Sequence, residues 1–206
     1  MCVKMTTYEI WSLIIQGLLG IGTLLLAVLA IWGGLFRSWW SGPKLKVLLH
    51  NPLGELMNLN DGRPVRHYHL RVVNGRKWAP ANNVRVLLTK IFQPTEDGRL
   101  VDRSFSGPLQ LTWQFPQFHA QYSFIGTDDI SDLGCIIKGD RFVITPYITP
   151  NNFTGFVSPN QRIKLEVVAV ADNGQSDPIL IEITWDGAWN DDNEEMGRHL
   201  VVKEVE

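Results

Sequence analysis

His67-Tyr68-His69-Leu70-Arg71-Val72-Val73-Asn74-Gly75 alternates in side-chain character and then breaks at Asn-Gly. In an extended chain successive side chains point to opposite faces. His67, His69 and Arg71 therefore share one face, and Tyr68, Leu70 and Val72 the other, which is the face to bury. Asn-Gly is a strong turn signal because both residues tolerate a positive φ. The same pattern returns at Ile179–Trp185, with Ile181, Ile183 and Trp185 on one face and Glu182 and Thr184 opposite. Asp172-Asn173-Gly174 ends the run before it. A period of two punctuated by turn residues fixes a β protein rather than a helical one.

Working outward, strands are expected near Leu45–His50, His67–Asn74, Val84–Phe92, Leu109–Phe115, Gln121–Ile125, Arg141–Thr145, Ile163–Ala171 and Ile179–Trp185, with a further one near His199–Val205. Short strands at this spacing, with no repeat and no long soluble amphipathic helix, predict an Ig-like antiparallel β-sandwich over residues 43–206.

The first 42 residues have a different texture. Ile10–Phe36 holds no charged side chain. Those residues make roughly 40 Å of helix, against a bilayer core of about 30 Å. Tyr8 and Trp11 at one end, and Trp32, Trp39 and Trp40 at the other, suit the headgroup level. The expectation is a transmembrane helix, followed by a Ser41-Gly42-Pro43 breaker, so that residues 1–42 form an anchor and linker. A cleaved signal peptide competes, but the apolar run is longer than such peptides carry and Lys4 alone charges its leading end. Arg37, Lys44 and Lys46 outnumber Lys4, so the domain is expected on the cytoplasmic side of the cell membrane. Cys2 and Cys135 lie on opposite sides in either orientation and cannot pair within one chain. Gln16, Gly20, Thr23, Ala27, Ala30 and Gly34 recur at steps of four and three. They form a stripe of small residues on which a second helix can pack, giving a homo-oligomer or a contact with another protein.

The chain of 206 residues has a formal net charge of −2, with 45% hydrophobic and 19% charged residues. That excludes a disordered chain and a strongly basic nucleic-acid binder. Two cysteines exclude a disulfide scaffold.

One stretch is locally basic. Between Gly62 and Thr95 there are seven lysines and arginines and no acid. Arg66, His67, His69, Arg71, Arg76, Lys77, Trp78 and Arg85 are the candidate ligand- or lipid-binding residues within it. If they share a face, arginine forks and an indole plane would suit phosphate or anionic headgroups. The plain alternative is a solvated sheet face. His67 and His69 can chelate zinc only with further ligands, and nothing in the sequence supplies them, so no metal or other cofactor is expected. Residues 186–206 hold seven carboxylates against two bases. They lack the order of a calcium loop and read as a polar loop with a short helical turn. No nucleophile elbow, phosphate loop or metalloprotease helix occurs, and Cys135 sits among apolar neighbours, so the expected role is non-enzymatic.

The stretch Leu70–Arg76 followed by Ala79-Pro80-Ala81-Asn82-Asn83-Val84-Arg85-Val86 is similar to a pattern in Ig-like bacterial sandwiches, including cell-adhesion-related domains. The whole arrangement resembles a group of uncharacterised bacterial single-pass membrane proteins. It shares one helix, a Pro-Lys-Leu entry at Pro43, and an Ile-x-Trp-Asp-Gly-x-Trp ending at Ile183–Trp189. The resemblance implies a tethered sandwich that presents an interaction or sensing surface, and it carries no catalytic residues across. Two further functions are open at this point. One is a membrane effector that binds a phosphate-bearing signal on the basic face and acts through helix clustering. The other is an extracytoplasmic adhesion or envelope domain.

Overall fold

The computed structural model describes residues 6–95, 97–115 and 122–205, with side-chain surroundings undescribed over 34–41. The chain divides into two units, Met1–Ser41 and Gly42–Glu206.

The first unit is the helix α1, Thr7–Ser41. Thr6 and Glu9 cap its start reciprocally: Glu9 Oε2 accepts from the Thr6 backbone N–H at 2.7 Å, and the Thr6 hydroxyl accepts from Glu9 N–H at 3.4 Å. That pairing satisfies two N–H groups a helix start leaves unbonded. The segment Thr7–Gly33 has a mean hydropathy of 2.4 and none of it is buried. By length and composition α1 can cross a membrane.

The second unit is mainly β. Its elements in order are β1 (Leu45–Leu49), β2 (Glu55–Asn58), β3 (Pro64–Asn74), β4 (Ala81–Pro94), β5 (Leu100–Asp102), β6 (Leu109–Gln110) and β7 (Ser123–Ile125). Then come β8 (Asp128–Ile137), β9 (Phe142–Ile144), β10 (Phe156–Val157), β11 (Gln161–Ala171), β12 (Gly174–Gln175), β13 (Ile179–Trp185), α2 (Asn193–His199) and β14 (Leu200–Val205). One sheet runs β1-β3-β8-β9-β10, with β2 also on β3. The other runs β14-β13-β11-β4-β5, with β12 on β11 and β6 and β7 on β4. All named pairings are antiparallel. Tyr68, Leu70 and Val72 of one sheet and Val86, Leu165, Val167 and Ile183 of the other are buried in one cluster. Two sheets closing on a shared core make the unit sandwich-like.

The expected alternation on β3 holds. Tyr68, Leu70 and Val72 are buried and Arg71 is exposed. Asn74 is buried at the inner end and fixes the turn after it. Its Oδ1 accepts from Lys44 N–H at 3.1 Å and Arg76 N–H at 3.0 Å, while its Nδ2 donates to the Ala79 carbonyl at 2.8 Å.

The sequence pattern does not reveal β8. Asp128, Asp129, Ser131, Asp132 and Gly134 look like turn material, yet β8 is a central strand between β3 and β9. Its polar residues are answered from β3: Arg71 Nη2 lies 2.6 Å from Asp128 Oδ2, and His69 Nδ1 lies 2.9 Å from Asp132 Oδ1. Gly134 is required by contact, since a Cβ there would lie 2.5 Å from the Val143 carbonyl oxygen and 2.7 Å from the Phe142 ring. The strand expected over Leu109–Phe115 is shorter, ending at Gln110, with isolated bridges at Leu111 and Trp113. Gln121, the expected start of β7, lies outside the described residues.

Candidate binding cleft

The basic residues expected on one face do not share one. Arg66 is fully buried on the inward side of β3. His67, His69 and Arg71 point outward from that sheet, where Arg71 is held by Asp128. His69 is 4% exposed and tied to Asp132, with Glu55 Oε2 at 3.8 Å, beyond hydrogen-bond reach. The His67 and His69 rings lie parallel, 6.1 Å apart. Burial holds His67 below its usual value, while Asp132 pulls the other way. Arg85 projects from β4 in the opposite sheet, its guanidinium 5.5 Å from the Tyr122 ring centre. Arg76, Lys77 and Trp78 occupy the β3–β4 turn, where Arg76 Nη1 donates to the Gly42 carbonyl at 3.1 Å. Of these three side chains Lys77 and Trp78 are exposed, Trp78 at 76%. The phosphate reading required a common face, and this arrangement removes its geometry. Among the described residues no cluster of three or more His, Cys, Asp or Glu is placed to hold a metal ion.

In α1, Gln16 Nε2 donates to Ser12 Oγ at 3.4 Å and Thr23 Oγ1 to the Leu19 carbonyl at 2.9 Å. Both polar side chains of the stripe are thus satisfied within their own helix. Gly34, the last residue of the stripe, lies where surroundings are not described.

A cleft lies at the end of the sandwich far from Gly42. Its volume is about 360 Å³, and it is lined by Gly139, Asp140, Arg141, Pro159, Trp185, Gly187 and Trp189. Aromatic lining with a few polar groups is the usual make-up of a small-ligand site, at the small end of the usual range.

The Ile183–Trp189 motif builds one wall. Trp185 ends β13 facing inward and is 5% exposed. Its indole N–H donates to the Ala188 carbonyl at 2.9 Å. Asp186 shapes the turn between: its Oδ1 accepts from Ala188 N–H at 2.8 Å, and its Oδ2 lies 2.7 Å from His199 Nδ1. The Ala188 N–H and then His199 hold the Asp186 carboxyl below its usual range. Gly187 has φ +100°, and a Cβ there would fall 2.8 Å from Pro159 Cβ, so only glycine closes the turn against Pro159. Trp189 packs on the core, and its indole N–H donates to Asp191 Oδ1 at 2.5 Å. That bond, with Lys138 behind it, lowers the Asp191 carboxyl.

Arg66 is what holds this wall. Its Nη1 donates to the Leu53 carbonyl at 3.1 Å and to Asn193 Oδ1 at 2.6 Å. Its Nη2 donates to the Asp191 carbonyl at 3.1 Å and to that of Asn190 at 3.5 Å. A residue expected to meet ligand from solvent instead pins the loop after Trp189 from inside. Asp192 then caps α2, accepting from Glu194 and Glu195 N–H at 2.9 and 3.0 Å.

The β8–β9 turn builds the other wall. Asp140 Oδ1 accepts from Arg141 N–H at 2.8 Å. The Arg141 guanidinium lies 3.7 Å from the centre of the Phe156 ring. Sequence reasoning noted the Trp-Asp-Gly-x-Trp run as a likeness and missed it as a wall. It gave no signal for Arg141, which reaches the cleft only through the sheet pairing of β8 with β9.

Compared with known proteins, the chain matches no family model and no curated protein sequence. What stands of the resemblance drawn from sequence is its coarse part, an N-terminal apolar helix before a β-rich domain.

Proposed function

We propose that this protein is a membrane-tethered, non-enzymatic binding module: α1 anchors it in the cell membrane, and an Ig-like sandwich captures a ligand or partner beside the bilayer. The observation that carries this reading is α1 itself, apolar over Thr7–Gly33, long enough to cross a membrane and with none of that span buried among the described residues. Such a surface is costly in water and at home in hydrocarbon. Tethering works by local concentration, since a partner at the same surface meets the domain as if within one molecule. Arg37, Lys44 and Lys46 favour a cytoplasmic domain. The stripe from Gln16 to Gly34 is the face on which a second copy, or another protein's helix, would pack, making the display multivalent.

The test is alkaline carbonate extraction of membranes with the mass of the intact chain, together with C-terminal fusions to a fluorescent protein and a periplasmic phosphatase. Retention of an uncleaved chain with a fluorescent, phosphatase-silent fusion is expected. Release from membranes, or loss of the first residues, makes α1 a signal sequence and removes the tether. An active phosphatase places the domain outside and favours the adhesion or envelope reading.

A further inference from the structure

We propose that the cleft between Trp189 and Arg141 binds a small ring-shaped carboxylate, one that combines a flat apolar face with a planar anion and a hydroxyl donor. This deepens the reading of the domain as a capture module and does not depend on the tether.

Three features define the ligand. The indole N–H groups of Trp185 and Trp189 are already spent, on the Ala188 carbonyl and on Asp191. What the indoles offer the cleft is carbon, which takes a flat apolar surface rather than a hydrogen-bond acceptor. Arg141 differs from the other arginines of the far end. Arg66 spends its guanidinium on four neutral oxygens. The guanidinium of Arg141 has no hydrogen-bond or carboxylate partner among the described residues, and it rests on the Phe156 ring at 3.7 Å. A guanidinium over a ring face spends no N–H on that contact, and its fork matches a carboxylate bidentately. Asp140 beside it accepts one N–H, from Arg141 itself. The lone pairs left on that carboxylate suit a ligand hydroxyl. A cleft of about 360 Å³ admits one ring, not an extended chain.

Two sources carry this chemistry, an acidic sugar and a hydroxylated aromatic acid. The probes are therefore D-glucuronate and 4-hydroxybenzoate, with D-glucose and 4-hydroxybenzyl alcohol as their neutral counterparts and choline as a cation. The full chain in detergent micelles, labelled with 5-fluorotryptophan, is titrated by fluorine NMR, and Trp185 and Trp189 are assigned by W185F and W189F. A saturable shift of the Trp189 resonance is expected with one of the two acids. The neutral counterpart should bind about tenfold more weakly or not at all, since it lacks the charge-assisted pair. R141Q should weaken the acid to the level of its neutral counterpart while leaving the other tryptophan resonances in place, which separates lost binding from lost folding. Which acid shifts Trp189 decides the source. No shift with either acid up to about 20 mM, equal binding of acid and neutral counterpart, or an unchanged affinity in R141Q overturns the proposal. So does choline binding that D140N abolishes and R141Q spares. Carbonate extraction reads the tether independently, so failure of one leaves the other standing.

Discussion

The two ends of the sandwich are organised by two buried polar residues on the same inward face of the same strand. At the end where the chain enters, Asn74 accepts from Lys44 and Arg76 and donates to Ala79 and Ile125. At the far end Arg66 donates to four oxygens, reaching Leu53 on one side and the segment from Asn190 to Asn193 on the other. The amide is short and both donates and accepts, so it ties Lys44 and the end of β7 to the turn that follows it. Lys77 and Trp78 stand exposed at that end. The guanidinium is long and donates only, so it gathers carbonyls from segments remote in sequence. The loop it gathers stands off the sheet and leaves a concave wall. The lesson is that one strand alternation yields a plain end and a receptive end, according to which polar residue is buried at each.

R66M breaks the comparison hardest. It leaves four acceptors without the buried donor that joins them, and unfolding of the full chain in micelles should show a loss of about 3–5 kcal/mol. N74A removes the bonds of a neutral side chain, and a smaller loss of about 2 kcal/mol is expected. If N74A proves the costlier, the entry end is the keystone and the comparison inverts. G187A tests the cleft without touching Arg66. A left-handed position for alanine costs about 1–2 kcal/mol, and the new methyl meets Pro159, so the tryptophan resonances of the cleft should move as well.

A milder test uses pH. Burial keeps the folded His67 below its usual value of 6.5. The unfolded chain therefore binds that proton more readily than the folded one. Stability from this residue is complete above pH 6.5 and is lost as pH falls through the lowered folded value. The thermal midpoint of the wild-type chain should drop between about pH 7.5 and 5, and H67Q should flatten that slope by a fraction of the R66M effect. The smallest change is expected at Trp78. It is 76% exposed, so W78A should alter stability by no more than about 0.5 kcal/mol. A larger loss would mean that the entry end is less plain than it looks.

The legible parts of the molecule were those whose signal is local. The alternation at His67–Asn74 and at Ile179–Trp185 depends only on neighbours two residues apart, and both strands form with the expected faces. The apolar run before Arg37 is similarly self-evident and becomes one helix. The short turn of α2 follows from Asp192 and the acids after it. β8 escaped because its aspartates and glycine carry a meaning that only β3 and β9 supply: Arg71 and His69 answer the charges, and Phe142 fills the space a side chain would need. The basic stretch misled for the related reason that sequence proximity is not shared orientation. Arg66 and His67 are adjacent yet face opposite sides of a sheet, and Arg71 and Arg85 belong to different sheets.

The sequence by itself determined the class of the segments with a plain hydrophobic period, the apolar helix and strands such as β3 and β13, because that period is a property of the chain alone. Only the tertiary structure decided which charges are buried and which are free, because that depends on what lies across the sheet. Arg66 became a fastener because loop carbonyls surround it, and Arg141 became the open donor of a cleft because its neighbour is the flat face of Phe156.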